Sequence, residues 1–275
     1  MGGLGNQMFQ YAYGVAMEHY GKVVKYDRSW LDFYGKKVEL VNAFSIDFNN
    51  KYASKDDCER LGYCSYSLAG RILERLNVKK TFIYQRNPME AITFEQNLVN
   101  VDNKYIAGYF QSEKYFASIK DEICKIYQFG KLNKQSMSIN KRINSCEAVA
   151  IHVRRGDYVN NSLYEVCDEE YYKKAIDIMK KYFKKPIFFI FSNDILFCKK
   201  IFADENVVYV EGNAGEDSWQ DMYLMTQCKG IIIPNSTFGW WGAWLNKNSN
   251  VVVPRRWFNM SEQSMDIIPD KWWRI

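Results

Sequence analysis

Ala148-Val149-Ala150-Ile151-His152-Val153-Arg154-Arg155-Gly156-Asp157-Tyr158 is the stretch on which the reading of this chain turns. Its small and branched apolar residues predict a buried strand, and that strand runs straight into two adjacent guanidiniums. An arginine stays charged and is costly to bury without an anionic partner. In an open α/β sheet, ligands bind just beyond the carboxyl ends of the strands. The position therefore predicts a ligand, and the side chains predict one that carries phosphate.

Downstream of this stretch, strands alternate with helices. Asp168 opens a helix with Tyr172, Ala175, Ile176, Met179 and Phe183 on one face. A strand follows at 187–191, a helix at 195–203, a strand at 207–210, a helix at 217–228 and a strand at 230–233. A further helix opens near Ser236, and Val251-Val252-Val253 is a last strand. Such alternation predicts an α/β fold with a parallel, doubly wound sheet. All carboxyl ends of a parallel sheet lie on one edge. His152 to Asp157, Ser192-Asn193-Asp194 and Asn235-Ser236-Thr237-Phe238 are thus expected to face one crevice.

Asn235-Ser236-Thr237 falls at a predicted helix start. Small hydroxyl residues there are good N-caps, while the free N–H groups and the helix dipole equally favour a phosphate. Arg154 and Arg155 are placed to meet that anion as bidentate forks. His152 alone reads as a half-buried imidazole bonded to backbone, but beside two arginines a ligand contact is the better reading. Arg155-Gly156-Asp157 also spells an adhesion tripeptide, which without context is a chance occurrence. There is no P-loop lysine motif, DxD pair, HExxH or GxSxG. A nucleotide-handling enzyme without an acidic metal cluster must offset leaving-group charge with arginines and helix dipoles.

The first half is less regular. Gly2-Gly3-Leu4-Gly5-Asn6-Gln7 opens a helix with Met8, Tyr11, Ala12, Val15, Ala16 and His19 at helical spacing. The glycines suit either close approach of a ligand to the backbone or a tight turn. Val23-Val24-Lys25-Tyr26 reads as a strand. Short helices are expected near 54–62, 66–76 and 113–127, and strands near 81–85 and 104–109.

Composition narrows the class. The 275 residues suffice for one large or two smaller domains, and 47% hydrophobic with 25% charged residues marks an ordinary globular chain. A net charge of +5 is mild and fits anionic small ligands; nucleic acid is not expected as a partner. Lys180-Lys181-Tyr182-Phe183-Lys184-Lys185 reads as the solvated end of a helix, with weak attraction to an anionic membrane surface as the alternative. Seven cysteines without a CxxC pair, and only two histidines, argue against structural zinc and for free thiols in a reducing compartment. No apolar run approaches the ~20 residues that span a bilayer, and no signal peptide is visible. The expected location is cytoplasmic.

Six segments together resemble bacterial α-1,2-fucosyltransferases of glycosyltransferase family 11. They are GGLGNQMFQYA at 2–12, GYFQSEKYF at 108–116, HVRRGDY at 152–158, FSNDI at 191–195, DMYLMTQCKGIIIPNSTFGWWGAWL at 221–245 and the closing PDKWWRI. The resemblance implies a GT-B-like fold, two Rossmann-type doubly wound α/β domains facing across a cleft. The domains are expected at 1–145 (acceptor side) and 146–275 (donor side), with the tail 255–275 packing back on the first. It implies GDP-β-L-fucose as donor and a galactose-terminated oligosaccharide as acceptor. The galactose 2-hydroxyl is fucosylated in α linkage, with inversion, no cofactor and no metal.

Carried over residue by residue, the resemblance makes Arg154 and Arg155 the diphosphate ligands that offset charge on leaving GDP. His152 contacts the donor, Asp221 accepts from guanine N1–H and N2–H, and Asn235, Ser236, Thr237 and Phe238 line the diphosphate pocket. Asn6 and Gln7 face the cleft from the N-terminal domain. Asp221 alone would read as a solvated helix carboxylate. Asp157, Glu165 and Asp194 are candidates for the base, with Asp157 carried beside Arg155 and Arg154 as catalytic and Asp194 also placed at the donor site. Two departures stand out. Relatives usually carry a short strand before GGLGNQ, where only Met1 precedes it here, which implies either a truncated start or a missing first strand. Pro234 and Gly239 stand where relatives often have alanine and serine. The rival readings are a nucleotide- or glycan-binding module without turnover, and another nucleotide-dependent transferase such as a sulfotransferase.

Overall fold

In a computed structural model of the chain, residues 1–62, 72, 79–203, 205–248, 250–260 and 266–275 are described, with Asp157 by its backbone alone. The chain divides into two compact units: Met1–Gln128 with Met265–Ile267, and Phe129–Ser264 with Ile268–Ile275. The boundary expected at 145 thus falls one helix earlier. Asn133 caps the helix Lys134–Asn144, its side chain accepting from Ser136 N at 2.7 Å. That helix packs on the strand that follows it and on the helix Trp219–Thr226, so it belongs with the second sheet. The tail is shared: Met265–Ile267 groups with the first unit and the last residues with the second.

The first unit is built around the helix Leu4–His19, which is buried nearly all round. Strand β1 (Phe82–Tyr84) pairs in parallel with β2 (Tyr105–Ala107), and among the described residues this two-stranded ladder is the unit's sheet. The strand expected at 23–26 is reduced to one isolated parallel bridge, Tyr26 to Tyr52. Val23 is 90% exposed, so its branched side chain has no sheet face to cover. The helix expected over 113–127 is broken into 3-10 turns at Glu113–Tyr115 and Ala117–Ile119 and a helix at Lys120–Ile126, because Phe116 leaves helical geometry at φ −136°. The expected helix at 66–76 lies, apart from residue 72, outside the described residues.

The second unit carries six parallel strands: β3 (Glu147–Val153), β4 (Pro186–Ser192), β5 (Val207–Val210), β6 (Gly230–Ile232), β7 (Val251–Val253) and β8 (Trp273–Arg274). Their order is β5-β4-β3-β6-β7-β8. This is the parallel α/β class that the strand–helix alternation predicts. Every residue of β3 after Glu147 is buried. Val149, Ile151 and Val153 meet Tyr172, Ala175, Ile176 and Met179 of the helix Glu169–Tyr182. Strand alternation turns Ala148, Ala150 and His152 to the opposite face.

The connecting helices begin and end as their sequences direct. Asp168 accepts from Tyr171 N at 2.8 Å, Glu169 and Glu170 fill the first turn, and Lys180 and Lys181 the last. Each charge complements the dipole at its end. The basic run at 180–185 covers the last turn of this helix and the residues just after it, its lysines exposed and Phe183 buried, with Lys180 paired to Glu205 at 2.7 Å. No described helix is long and apolar enough to cross a membrane. The six described cysteines are free thiols, and Cys64 lies outside the described residues.

Candidate functional site

The strand order reverses beside β3. From β3 the chain winds outward to β4 and β5, then returns to β6 on the other flank. At such a switch point the two outgoing connections diverge and leave a crevice beyond the carboxyl ends. Residues 152–158 form one wall and residues 234–239 the other. A direct bond joins the walls: the Tyr158 hydroxyl donates to the Asn235 carbonyl at 3.1 Å.

His152 is 6% exposed. Tyr172 donates to its carbonyl at 3.3 Å, and its ring lies 5.5 Å from the Phe238 ring. Burial first, and Arg154 second, push its pKa down to about 3, so the ring is neutral at working pH. Among the described residues its buried Nδ1 has no hydrogen-bond partner. A buried polar atom without a partner is rare and usually marks a ligand position or strain. Gly239 lies beside it. A Cβ there would lie 2.6 Å from Nδ1 and 3.2 Å from the Ile233 side chain. Gly239→Ala is therefore expected to cost about 1–3 kcal/mol by overpacking, read as a lower urea midpoint. An unchanged midpoint would mean that the imidazole has room to retreat.

The two arginines diverge. Val153 is in register with Ser192, which lays Arg155 beside Asn193 and Asp194. Arg155 N donates to Asn193 Oδ1 at 2.9 Å, and its Nε to Asp194 Oδ2 at 3.2 Å. The guanidinium stacks on Phe197, with Cζ 3.7 Å from the ring centroid. Among the described residues no hydrogen bond is made by its terminal Nη groups, so the fork end is left for an anion. Arg154 turns the other way, 5.7 Å over the Tyr158 ring. Gly156 makes the sharp exit at φ +67°, and a Cβ there would lie 2.7 Å from Asn193 Nδ2. Asp157 follows in the 3-10 turn Gly156–Tyr158. The other two base candidates are engaged. Asp194 caps the helix Ile195–Ile201 through Phe197 N at 3.0 Å while holding Arg155. Glu165 accepts from Asn160 N at 2.9 Å.

On the other wall, Asn235 is a scaffold. It is 2% exposed, and its Nδ2 donates to the carbonyls of Tyr164 at 3.2 Å and Trp257 at 2.8 Å. Ser236 stands at the N-cap of the helix Thr237–Trp244, yet its side chain makes no capping bond and no acidic residue lies in the first turn. The first N–H groups there are thus left open, with the positive end of the dipole among them. Thr237 and Phe238 are half-buried beside them.

Asp221 lies in the first turn of Trp219–Thr226, after β5. It is half-buried, and burial raises its pKa to about 7 against the lowering effect of an Asn213 bond. Asn213 Nδ2 donates to its Oδ1 at 2.8 Å.

Asn6 and Gln7 belong to the first unit. Gln7 is committed to its own surroundings. Its Nε2 donates to the Gly2 and Lys37 carbonyls, and its Oε1 accepts from Glu39 N at 2.9 Å. Asn6 Oδ1 accepts from Gln111 at 3.0 Å. The glycine loop does not leave an open anion site, because Glu39 Oε2 accepts from Leu4 N at 3.1 Å and covers the helix start. Phe197 and Asn213 support the site without having been singled out in the sequence, while Asn193 stands in the expected strand end at 192–194. In-phase pairing of β3 with β4 is the signal for Phe197. Among the described residues no three His, Cys, Asp or Glu side chains gather as a metal cluster.

The strand order defines the class: a doubly wound parallel α/β domain with a switch point beside β3. Residues 72–274 match the family model described as Glycosyl transferase family 11. The chain is 32% identical over its full length to an alpha-1,2-colitosyltransferase of Escherichia coli, covering 96% of that protein. It is also 32% identical to the Escherichia coli O-antigen biosynthesis glycosyltransferase WbnK, over 96% of each chain. Half of the chain is 32% identical to 42% of the rat galactoside alpha-(1,2)-fucosyltransferase 2. A solved structure of a mutant Arabidopsis thaliana FUT1 in complex with GDP aligns with 98% of this chain and 73% of its own, at 13% identity and a TM-score of 0.48. This chain belongs to glycosyl transferase family 11. It is an enzyme of α-1,2 glycosyl transfer.

Proposed function

We propose that the chain transfers L-fucose from GDP-β-L-fucose to the 2-hydroxyl of a terminal galactose on a glycan, forming an α-1,2 linkage with inversion. The observation that carries this reading is the switch-point crevice. There the fork end of Arg155 and the open first turn of Thr237–Trp244 lie beyond the ends of β3 and β6, and the buried Nδ1 of His152 belongs to the last residue but one of β3. A diphosphate needs such donors, and its leaving charge grows in the transition state, where preorganised donors act most strongly.

Arg155 and Arg154 bind the diphosphate, and Ser236, Thr237 and Phe238 line its pocket. Neutral His152 serves as a hydrogen-bonding contact rather than a counter-charge. Asp221 takes the guanine through its carboxylate. Asn235 holds the pocket wall rather than the donor. With Asp194 and Glu165 already bonded within the fold, Asp157 is the base candidate. No metal or cofactor takes part in this reading.

The similarity to an alpha-1,2-colitosyltransferase favours a second donor sugar, colitose, in nucleotide-linked form. The test is transfer from both donors to a panel of galactose-terminated acceptors, with linkage analysis of the product. Turnover with GDP-fucose that survives EDTA is expected. Binding without any turnover would support a binding module, and loss of activity in EDTA would require a metal. Thermal shifts with GDP but not with UDP or adenosine 3′,5′-bisphosphate would separate this reading from a sulfotransferase.

A further inference from the structure

We propose that Asn213 is a positioning residue that sets the base preference of the nucleotide subsite through Asp221. The inference rests on the reading that Asp221 meets the base. Asn213 comes from the loop after β5, where Gly212 adopts φ +95° against Gln135. The loop is tied to the helix Lys134–Asn144: Gln135 Nε2 donates to the Glu211 carbonyl at 2.8 Å.

The Asn213 amide has one orientation that satisfies its neighbours. Its Oδ1 accepts from Asn133 Nδ2 at 3.3 Å, and Ser136 Oγ lies within bonding distance of both amide atoms, 3.2 Å from Oδ1 and 3.0 Å from Nδ2. That leaves the NH2 group facing Asp221 Oδ1 at 2.8 Å. The neighbouring Gln220 is bound into the same network, since Asn133 N donates to Gln220 Oε1 at 2.9 Å. Ser136 and Gln220 are essentially fully buried. A buried network satisfied in this way holds its members rigidly.

The consequence falls on the carboxylate. One neutral donor fixes Oδ1, and Oδ2 has no hydrogen-bond partner among the described residues. Among the described residues no arginine or lysine bonds to the carboxylate to compete for its acceptor capacity. A carboxylate held in this plane suits a base edge with two adjacent N–H donors, and it repels an edge whose ring nitrogen is an acceptor. The ligand class is a diphosphate of guanine, with adenine excluded.

The test compares Asn213→Asp, Asn213→Ala and Asp221→Asn by calorimetry with GDP, inosine diphosphate and ADP. Asn213→Asp keeps the shape and still accepts from Asn133 and Ser136, while turning a like charge toward Asp221. At about pH 8 it is expected to weaken GDP binding at least about tenfold and to shrink the GDP-to-ADP preference. Asn213→Ala is expected to shrink that preference less, with kcat at saturating donor within a few-fold of the wild type. If Asp221→Asn leaves the preference unchanged, the guanine reading itself fails. If Asp221→Asn abolishes it while both folded Asn213 variants retain it, the guanine reading stands and the role of Asn213 is overturned. A melting temperature for each variant identifies the folded ones, and Asn213→Asp decides the matter if Asn213→Ala does not fold.

Discussion

Arg155→Ala is expected to lower transfer at least about a hundredfold to a thousandfold in kcat, the range found when one preorganised donor to a developing anion is removed. Arg155 is oriented by two partners, the Asp194 carboxylate and the Phe197 ring. Its side chain is 30% exposed, so the substitution opens no deep core cavity. Far-UV circular dichroism and a melting temperature within a few degrees of the wild type would confirm an intact fold. Arg155→Lys keeps the charge but loses the fork and the flat stack on Phe197, and should recover only part of the rate. Arg154→Ala is expected to rank second. Near wild-type turnover by folded Arg155→Ala would end the role assigned to this residue.

Asp221→Ala is expected to weaken GDP binding about a hundredfold or more, since two hydrogen bonds to a charged acceptor are lost at roughly 1.5–3 kcal/mol each. The rate at saturating donor should change only a few-fold, because these bonds are equally strong before and during transfer. Unchanged GDP affinity by calorimetry would refute the assignment. The pKa of about 7 adds a pH dependence. Guanine donors require the ionised carboxylate, so GDP affinity should fall as pH drops below about 7, and that slope should vanish in Asp221→Asn. Stability moves oppositely. Between the ordinary value of 3.8 and about 7 the folded protein holds a proton that the unfolded chain has released. The stability this group contributes is full below the lower value and lost as pH rises through the upper one. Asp221→Asn should therefore melt higher than the wild type at about pH 8, with the gain fading in acid.

The second unit was legible because parallel strands buried on both faces read as continuous apolar runs. The strand expected at 148–153 is observed as Glu147–Val153, and that at 187–191 as Pro186–Ser192. The first unit was less legible beyond its first helix. Its long helix was read from the spacing of Met8, Tyr11, Ala12, Val15 and Ala16, and it is observed at Leu4–His19. Its other elements are short, as at Ser29–Phe33 and Gln96–Val99, where propensity is easily overridden by packing. Lys134–Asn144 is mostly polar, and its Asn133 cap, the Gln135 bond to the Glu211 carbonyl and the buried Ser136 and Ile143 commit it to the second unit.

The candidate site divides along the same line. Its chemical types were readable: paired arginines at a strand end, a helix start with small polar residues, and an acid in a helix's first turn. Which groups remain open to a ligand depended on partners far along the chain. Arg155 is held by residues 38 and 39 positions away, and Glu39 covers a helix start 35 positions before it. Gln7 looked like a ligand contact and is consumed by the Gly2 and Lys37 carbonyls and Glu39 N.

The sequence by itself determined the alternation of strands and helices, the order of the motifs and the charge offered at the end of β3. Those properties are local, because periodicity and residue type do not depend on distant neighbours. The tertiary structure alone decided that Arg154 and Arg155 point apart, that His152 is left with a bare Nδ1 beside Gly239, and that Asn213 meets Asp221. Each depends on strand register and helix packing, which bring together groups that no short window of sequence contains.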